Sequence, residues 1–148
     1  MSTGGRADPY LGFRFHVEID SLLVAGFASV SGLGIDVVTE EYAEGGVNEY
    51  THAIPTRVEY PNVELERGMT DSVELIEWIE SVRAGRVDRR NGRIVLLDAT
   101  GEERWGWEFH DAYPVSWVGP DLSADQSEVA IERLELTHRG ISKMEGLP

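Results

Sequence analysis

Apolar and polar residues alternate with a period of two along most of this chain, a pattern that predicts β-strands. The clearest run is 13–20, where every second residue is apolar. Further strands are predicted at 26–30, 35–42, 49–52, 62–67, 93–98, 104–109 and 128–138. In the first strand, the residues predicted to face a core are Phe13, Phe15, Val17 and Ile19. The polar row predicted to face the other side consists of Arg14, His16, Glu18 and Asp20.

Residues 71–84 break this alternation and predict a helix. Asp71 is a suitable N-cap, Glu74 completes a capping-box spacing, and Gly85 suits the C-terminal end. A helix with a single apolar stripe must lie on another element, so the predicted fold is mainly β with one packed helix, in a single domain spanning 1–148. The apolar stripe is formed by Leu75, Trp78, Ile79 and Val82.

Two segments are predicted to lie outside the packed body. The first, 1–9, is polar and glycine-rich and is expected to be a flexible N-terminal tail. The second, 40–52, contains a Gly-Gly turn and few apolar residues on either face, and it predicts a hairpin that projects from the domain and pairs with another partner. Turns or irregular backbone are also predicted at Asn91-Gly92 and Tyr113-Pro114.

Composition narrows the functional classes. The chain has 148 residues, 41% of them hydrophobic, which suits one globular domain. The net charge of −14 argues against a specific nucleic-acid site. Lysine occurs only once among the 13 basic residues. An acidic, lysine-poor composition is typical of a protein adapted to high salt. A GC-rich genome would explain the preference for arginine but not the acidic excess. No transmembrane segment or secretory signal is expected.

The residues that carry enzyme chemistry show no recognisable pattern. Cysteine is absent, and the four histidines at positions 16, 52, 110 and 138 lack metal-ligand spacing. No nucleophile elbow or complete dinucleotide fingerprint is present. We therefore expect no catalytic site, no metal and no cofactor.

Several short motifs occur in the order found in one family. They lie at 13–19, 30–33, 41–46, 65–70, 90–92, 107–109, 112–114, 117–120 and 129–136. In this order they resemble the tail tube proteins, which form the inner tube of contractile phage tails and of extracellular contractile injection systems. The resemblance extends from about residue 10 to residue 140.

The resemblance implies a β-sandwich or barrel whose sheets join across six protomers in a ring, and rings that stack into a hollow tube. The implied partners are other copies of the chain, a sheath, a baseplate or spike hub, tube-capping proteins, and cargo in the lumen. The implied location is the cytoplasm during assembly, then a virion or tail-like particle that is released. The polar row of the first strand would line the lumen or the outer wall. The hairpin residues implied in contacts between subunits or rings are Glu40, Glu41, Tyr42, Glu44, Gly45, Gly46, Val47, Asn48 and Tyr50.

Two alternatives remain open at this point. A monomeric β-sandwich module that binds carbohydrate would use Trp105, Trp107 and Trp117 as a stacking platform. A simpler interpretation places Trp105 and Trp107 on one strand face, packed under the helix near Trp78. The secreted ring protein of a type VI secretion machine would share the tube fold.

Overall fold

The computed structural model describes residues 14–20, 27–42, 52–125 and 127–145, which form nine strands and one helix. The predicted mainly-β fold with one helix is therefore confirmed, while the predicted tail at 1–9 lies outside the described residues. No helix in the described part is long and apolar enough to cross a membrane. The elements are β1 (Phe15–Ile19), β2 (Phe27–Ser31), β3 (Asp36–Tyr42), β4 (His52–Glu59), β5 (Val63–Gly68), α1 (Glu74–Arg83), β6 (Arg90–Leu97), β7 (Glu103–Val118), β8 (Ile131–Thr137) and β9 (Gly140–Lys143).

Strand β7 joins the two halves of an antiparallel sheet. The strand order is β1-β6-β7-β8-β5-β2, and β9 also pairs with β7. The first part of β7 pairs with β6 and β9, and the part from Tyr113 onward pairs with β8. Between these parts Asp111 adopts a positive φ of 54°, and its N–H donates to the side-chain oxygen of Asn91 at 3.0 Å. Strand β7 thus passes from one set of partners to the other without a break in the chain.

The strand pairing corrects two predictions and confirms a third. The strand predicted to end at residue 109 continues to Val118, so that predicted end is wrong. The pairing register shifts between Pro114 and Ser116, which confirms the irregular backbone predicted at Tyr113-Pro114. Asn91-Gly92 is not a turn but part of β6. A Cβ atom at Gly92 would overlap the ring of Phe109 on the neighbouring strand, so glycine is needed here to admit that ring rather than to reverse the chain.

The hydrophobic core lies between the sheet and α1. Val17 and Ile19 are buried and Phe15 packs against them, as the alternation predicts, whereas Phe13 lies outside the described residues. The remaining buried members of this core are Val63, Leu65, Leu75, Trp78, Ile94, Phe109, Ala112, Leu134 and Leu136. Contributions from strands of both halves show that the halves share one core.

Helix α1 is shorter than predicted and begins three residues later. Asp71 does not cap it; the N-cap residue is Val73, which forms no side-chain capping bond. The N–H of Ser72 instead donates to the hydroxyl of Thr70 at 3.2 Å, so this segment forms a local turn before the helix. At the other end Gly85 has a φ of 92°, as predicted for a helix stop.

The predicted apolar stripe of α1 faces the core. Leu75 and Trp78 are buried, and Ile79 and Val82 are half-buried at its margin. The indole N–H of Trp78 donates to the carbonyl of Asp88 at 2.7 Å, which ties the helix to the segment before β6.

A buried ion pair links the other end of α1 to the sheet. Arg67 on β5 lies 3.5 Å from Glu132 on β8, and their side chains are only 3% and 5% exposed. Trp117 on β7 donates its indole N–H to Glu132 at 3.1 Å. Arg67 also donates to the hydroxyl of Ser72 just before the helix and stacks over Phe27 of β2. This one pair therefore connects β2, β5, β7, β8 and the approach to α1.

Removing one member of this pair should destabilise the fold strongly. Arg67→Met leaves Glu132 buried without its counter-charge, and we expect the free energy of unfolding to fall by about 3–5 kcal/mol. The double variant Arg67→Met/Glu132→Gln removes both charges while retaining an acceptor for Trp117, and it should recover most of that loss. Urea denaturation followed by tryptophan fluorescence measures both effects.

The matched control for this prediction is Arg133→Met. Arg133 pairs with Glu66 at an exposed position, so its loss should lower stability far less than the loss of Arg67. Equal losses for the Arg67 and Arg133 variants, or no recovery in the double variant, would contradict the role given to the buried pair.

Candidate assembly surfaces

Strands β3 and β4 form a separate two-stranded hairpin that leaves almost its whole surface in solvent. Every residue of β4 and all but one residue of β3 are exposed. The hairpin spans 36–59 and so extends well beyond the predicted 40–52; the return strand starts at His52, where the predicted one ended. Pro55 lies within β4 opposite Thr39, a position that an unpaired edge tolerates.

The hairpin is more apolar than the sequence pattern suggested. Val37 lies opposite Val58 in the register, so both side chains share one face, and each is about half exposed. Ile54 and Tyr42 are exposed as well. Val37, Ile54 and Val58 all lie outside the predicted span 40–52, so the longer hairpin carries apolar surface that the prediction did not include. An isolated two-stranded hairpin is only marginally stable in water, so we expect this surface to pack against another protein surface.

The predicted contact residues divide between described and undescribed positions. Glu40, Glu41 and Tyr42 lie on β3 and are exposed, and the Tyr42 ring lies 6.4 Å from that of His52. The others lie outside the described residues: Glu44, Gly45, Gly46, Val47, Asn48 and Tyr50.

Both terminal strands of the larger sheet have an open edge. In the described part of the chain, β1 pairs with β6 alone and β2 pairs with β5 alone. The outer edge of each strand therefore presents unpaired backbone N–H and C=O groups, which can pair with a strand of another chain. Alternation in the sequence predicts the strands but does not indicate which of them lies at an edge.

A second exposed apolar surface lies at the end of the sheet opposite the hairpin. The hairpin joins the sheet near the start of β5, whereas this surface surrounds the end of β5, the end of β7 and the start of β8. Leu122 is 82% exposed and Val129 is 75% exposed. The other exposed apolar residues here are Met69, Val118 and Ile131. Sequence reasoning missed this surface because its members come from separate segments.

The polar row of β1 lies on the side of the sheet away from the core, as predicted. Arg14 donates to the carbonyl of Ala99 at 3.1 Å. The backbone carbonyl of Asp20 accepts a bond from Arg90 at 2.9 Å. His16 Nε2 lies 3.4 Å from Glu18 Oε1.

Glu18 also accepts a hydrogen bond from the Arg93 guanidinium, which lowers the pKa of Glu18 below its ordinary value of 4.5 against the opposing effect of partial burial.

The tryptophans do not form one platform. Trp105 and Trp107 meet edge to face at 6.5 Å, and Lys143 lies over Trp105. Trp107 lines a cleft with residues of the 33–35 segment and of β9. Trp117 lies on the other half of β7 and lines a cleft with Ile76 and Ile79 of α1. The described contacts thus place Trp117 beside the helix, whereas Trp105 and Trp107 were the residues expected there.

Comparison with known proteins identifies relatives over nearly the whole chain. Residues 11–142 match the family model described as T4-like virus tail tube protein gp19. The comparison with curated protein sequences gives no match.

Three solved structures contain similar chains. One is the sheath–tube complex, in its extended state, of the extracellular contractile injection system PVC (28% identity, TM-score 0.83, covering 92% of this chain and 91% of that one). The six-fold symmetrised baseplate of the anti-feeding prophage is the second (25% identity, TM-score 0.81, 94% and 97% covered). The third is the tube-terminating cap of the same particle (26% identity, TM-score 0.86, 97% and 95% covered).

The contact between Glu18 and Arg93 predicts how the stability of the fold depends on pH. Arg93→Gln removes the hydrogen bond that lowers the pKa of Glu18, so this pKa should rise toward 4.5. In the wild type the contact stabilises the fold above the unfolded-state pKa, and this contribution is lost as pH falls through the lowered folded-state pKa. The variant should lack that part of the acid dependence, which is small because both groups are partly exposed.

NMR titration of the Glu18 carboxyl checks this expectation. Arg57→Gln is the control, because Arg57 pairs with Glu59 on the hairpin and should leave the pKa of Glu18 unchanged. An unchanged pKa of Glu18 in the Arg93 variant would contradict the assignment.

Proposed function

Because the chain belongs to the T4-like virus tail tube protein family, it is a tail tube subunit of a contractile injection system or phage tail, and we propose that six copies form each ring of a stacked, hollow tube. The family is structural and the protein is not an enzyme. The observation that carries the proposal beyond family membership is the exposed hairpin β3–β4, which pairs with no strand of the larger sheet among the described residues.

Closure of the ring is supported by the open edges of β1 and β2. If edges of neighbouring copies pair, the sheets continue from one protomer to the next and the backbone groups at both edges are satisfied. Six-fold closure then removes free edges altogether, as in any closed barrel. In this arrangement we place the polar row of Arg14, His16, Glu18 and Asp20 on the lumen or on the outer wall.

Stacking of rings is supported by the two apolar surfaces at opposite ends of β5. The hairpin surface around Val37 and Val58 and the end surface around Leu122 and Val129 differ from one another, so their association would be head to tail. Head-to-tail contacts add subunits in one direction, as a growing tube requires. We propose that the hairpin of one copy covers apolar surface of neighbouring copies in the same ring or the adjacent ring.

The relatives indicate the partners. Similar chains occur in complexes with a sheath, a baseplate and a tube cap, and we propose corresponding partners for this protein. Contraction of the sheath would drive the tube through a target envelope with cargo in the lumen. Assembly would take place in the cytoplasm, and the product would be a tail-like particle that is released.

Charges in the hairpin should abolish assembly without unfolding the domain. Val37→Asp/Val58→Asp places two carboxylates on the apolar face, where both side chains are about half exposed and neither belongs to the buried core of the described residues. The free energy of unfolding should change by no more than about 0.5 kcal/mol, while rings and tubes disappear. Light scattering and electron microscopy measure assembly, and urea denaturation measures stability.

The control for the hairpin variant is Val87→Asp, which places a carboxylate at an exposed valine between α1 and β6. This variant should assemble normally. If the Val37→Asp/Val58→Asp protein formed tubes like those of the wild type, the role of the hairpin would be contradicted.

The net charge of −14 makes a second prediction, that assembly depends on salt. Stacked acidic rings repel one another when the Debye length is about 10 Å, near 0.1 M salt, and much less when it is about 3 Å, near 1 M. Tubes should therefore persist at molar salt and loosen on dilution, consistent with a protein adapted to a saline environment. Glu40→Gln/Glu41→Gln should lower the salt concentration that assembly requires.

The control variant Glu77→Gln/Glu80→Gln also removes two negative charges, but these lie on the helix rather than on the hairpin. It should change the salt concentration required for assembly less than Glu40→Gln/Glu41→Gln does. Tubes that remain intact in dilute buffer would contradict the electrostatic part of the proposal.

A further inference from the structure

Three donor atoms from separate parts of the sequence converge on the side of the sheet away from the core. They are Nε2 of His16 and the carboxylate oxygens of Glu18 and Glu103, which all lie within 4.8 Å of one another. His16 and Glu18 are on β1, and Glu103 begins β7, with β6 between them. Sequence spacing gave no sign of this cluster because the third donor reaches it only through the strand order.

The distances from His16 to the two carboxylates are close to those around a small cation. A tetrahedral site with metal–ligand distances of about 2.0–2.1 Å separates its ligand atoms by about 3.3–3.4 Å. His16 Nε2 lies 3.4 Å from Glu18 Oε1 and 3.7 Å from Glu103 Oε1. The first separation already matches that edge length, and the second needs an adjustment of a few tenths of an ångström.

The imidazole nitrogen of His16 is available to a ligand at this site. His16 Nε2 is closed off from solvent and has no hydrogen-bond partner in the described structure. The tautomer that carries its proton on Nδ1 presents a lone pair at Nε2, and in this form the nitrogen and the two carboxylates can serve together as ligands of a cation.

The surroundings orient one ligand and keep the site acidic. Arg93 donates to the Oε2 atom of Glu18, which leaves Oε1 directed at His16. A hydrogen bond of this kind to a ligating carboxylate is the usual support for a metal ligand. Glu108 and Asp20 lie with Glu18 and Arg93 along the adjoining groove, so the acidic groups outnumber the one guanidinium.

We propose that His16, Glu18 and Glu103 bind one divalent transition-metal ion, with Zn²⁺ as the best match. One imidazole and two carboxylates are suitable ligands for Zn²⁺, and they leave a fourth position for water or for a group from a neighbouring subunit. The inference does not depend on ring formation, because all three ligands come from one chain.

Metal titration of the full-length protein tests the proposal. The protein is stripped with EDTA, exchanged into chelator-free buffer near pH 7.5, because metal ligands must be deprotonated, and titrated with ZnCl₂ by calorimetry. CoCl₂ in a parallel titration reports four-coordinate geometry through its visible absorption. We expect one ion per chain, and a loss of affinity on the order of tenfold or more in His16→Ala and in Glu103→Gln.

His110→Ala is the matched control, since His110 lies on the same side of the sheet but contacts Ser142 rather than the cluster. Its affinity should equal that of the wild type. Absence of binding, or binding that His16→Ala leaves unchanged, would overturn the proposal. Circular dichroism of each variant verifies that the fold is retained, so a loss of binding reports the site.

Discussion

The main physical constraint on this protein is that the described part of a single chain leaves two edges of its β-sheet without strand partners and one hairpin exposed to solvent. Backbone groups at the outer edges of β1 and β2 lack strand partners within the described chain, and the hairpin exposes Val37 and Val58. Water can satisfy the edges, but it cannot provide the burial that stabilises a two-stranded hairpin. In the proposed ring and tube, further copies of the same chain would supply both kinds of contact at once. Family membership and the geometry thus lead to the same conclusion from different observations.

Two features hold together the domain that carries these surfaces: the shared strand β7 and a buried ion pair. Strand β7 belongs to both halves of the sheet, so the halves cannot separate without breaking its pairing. The buried pair of Arg67 and Glu132 connects four strands and the approach to α1. Interior ion pairs contribute little net stability but penalise every arrangement that separates them, which favours one packing. A rigid body with a projecting hairpin is a suitable unit for a repeating tube.

Much of the fold follows from the sequence because its causes are local. Alternation places Val17 and Ile19 in the core, and the helical spacing of Leu75 and Trp78 gives the face that α1 buries. The errors arise where tertiary contacts decide the outcome. Asn91-Gly92 has turn composition, yet the ring of Phe109 requires a glycine inside a strand there.

The candidate surfaces were less predictable for the same reason. The hairpin could be located from its glycines and its acidic strand. Its apolar face, however, depends on which residue of β4 lies opposite Val37. Local composition does not determine this pairing register. The end surface around Leu122 and the cluster of His16, Glu18 and Glu103 both join distant segments through strand order. A single sequence gives the residue types in such sites but not their proximity.

Electron microscopy of the purified wild-type protein, with its mass measured by light scattering in the same molar-salt buffer, tests the central claim most directly. The account predicts six-fold rings or stacked tubes with a central hole, and a mass that is a multiple of six chains. A compact monomer at every salt and protein concentration would contradict it. In that case the open edges and the hairpin would be features that the isolated chain tolerates, and the proposed self-assembly would be wrong.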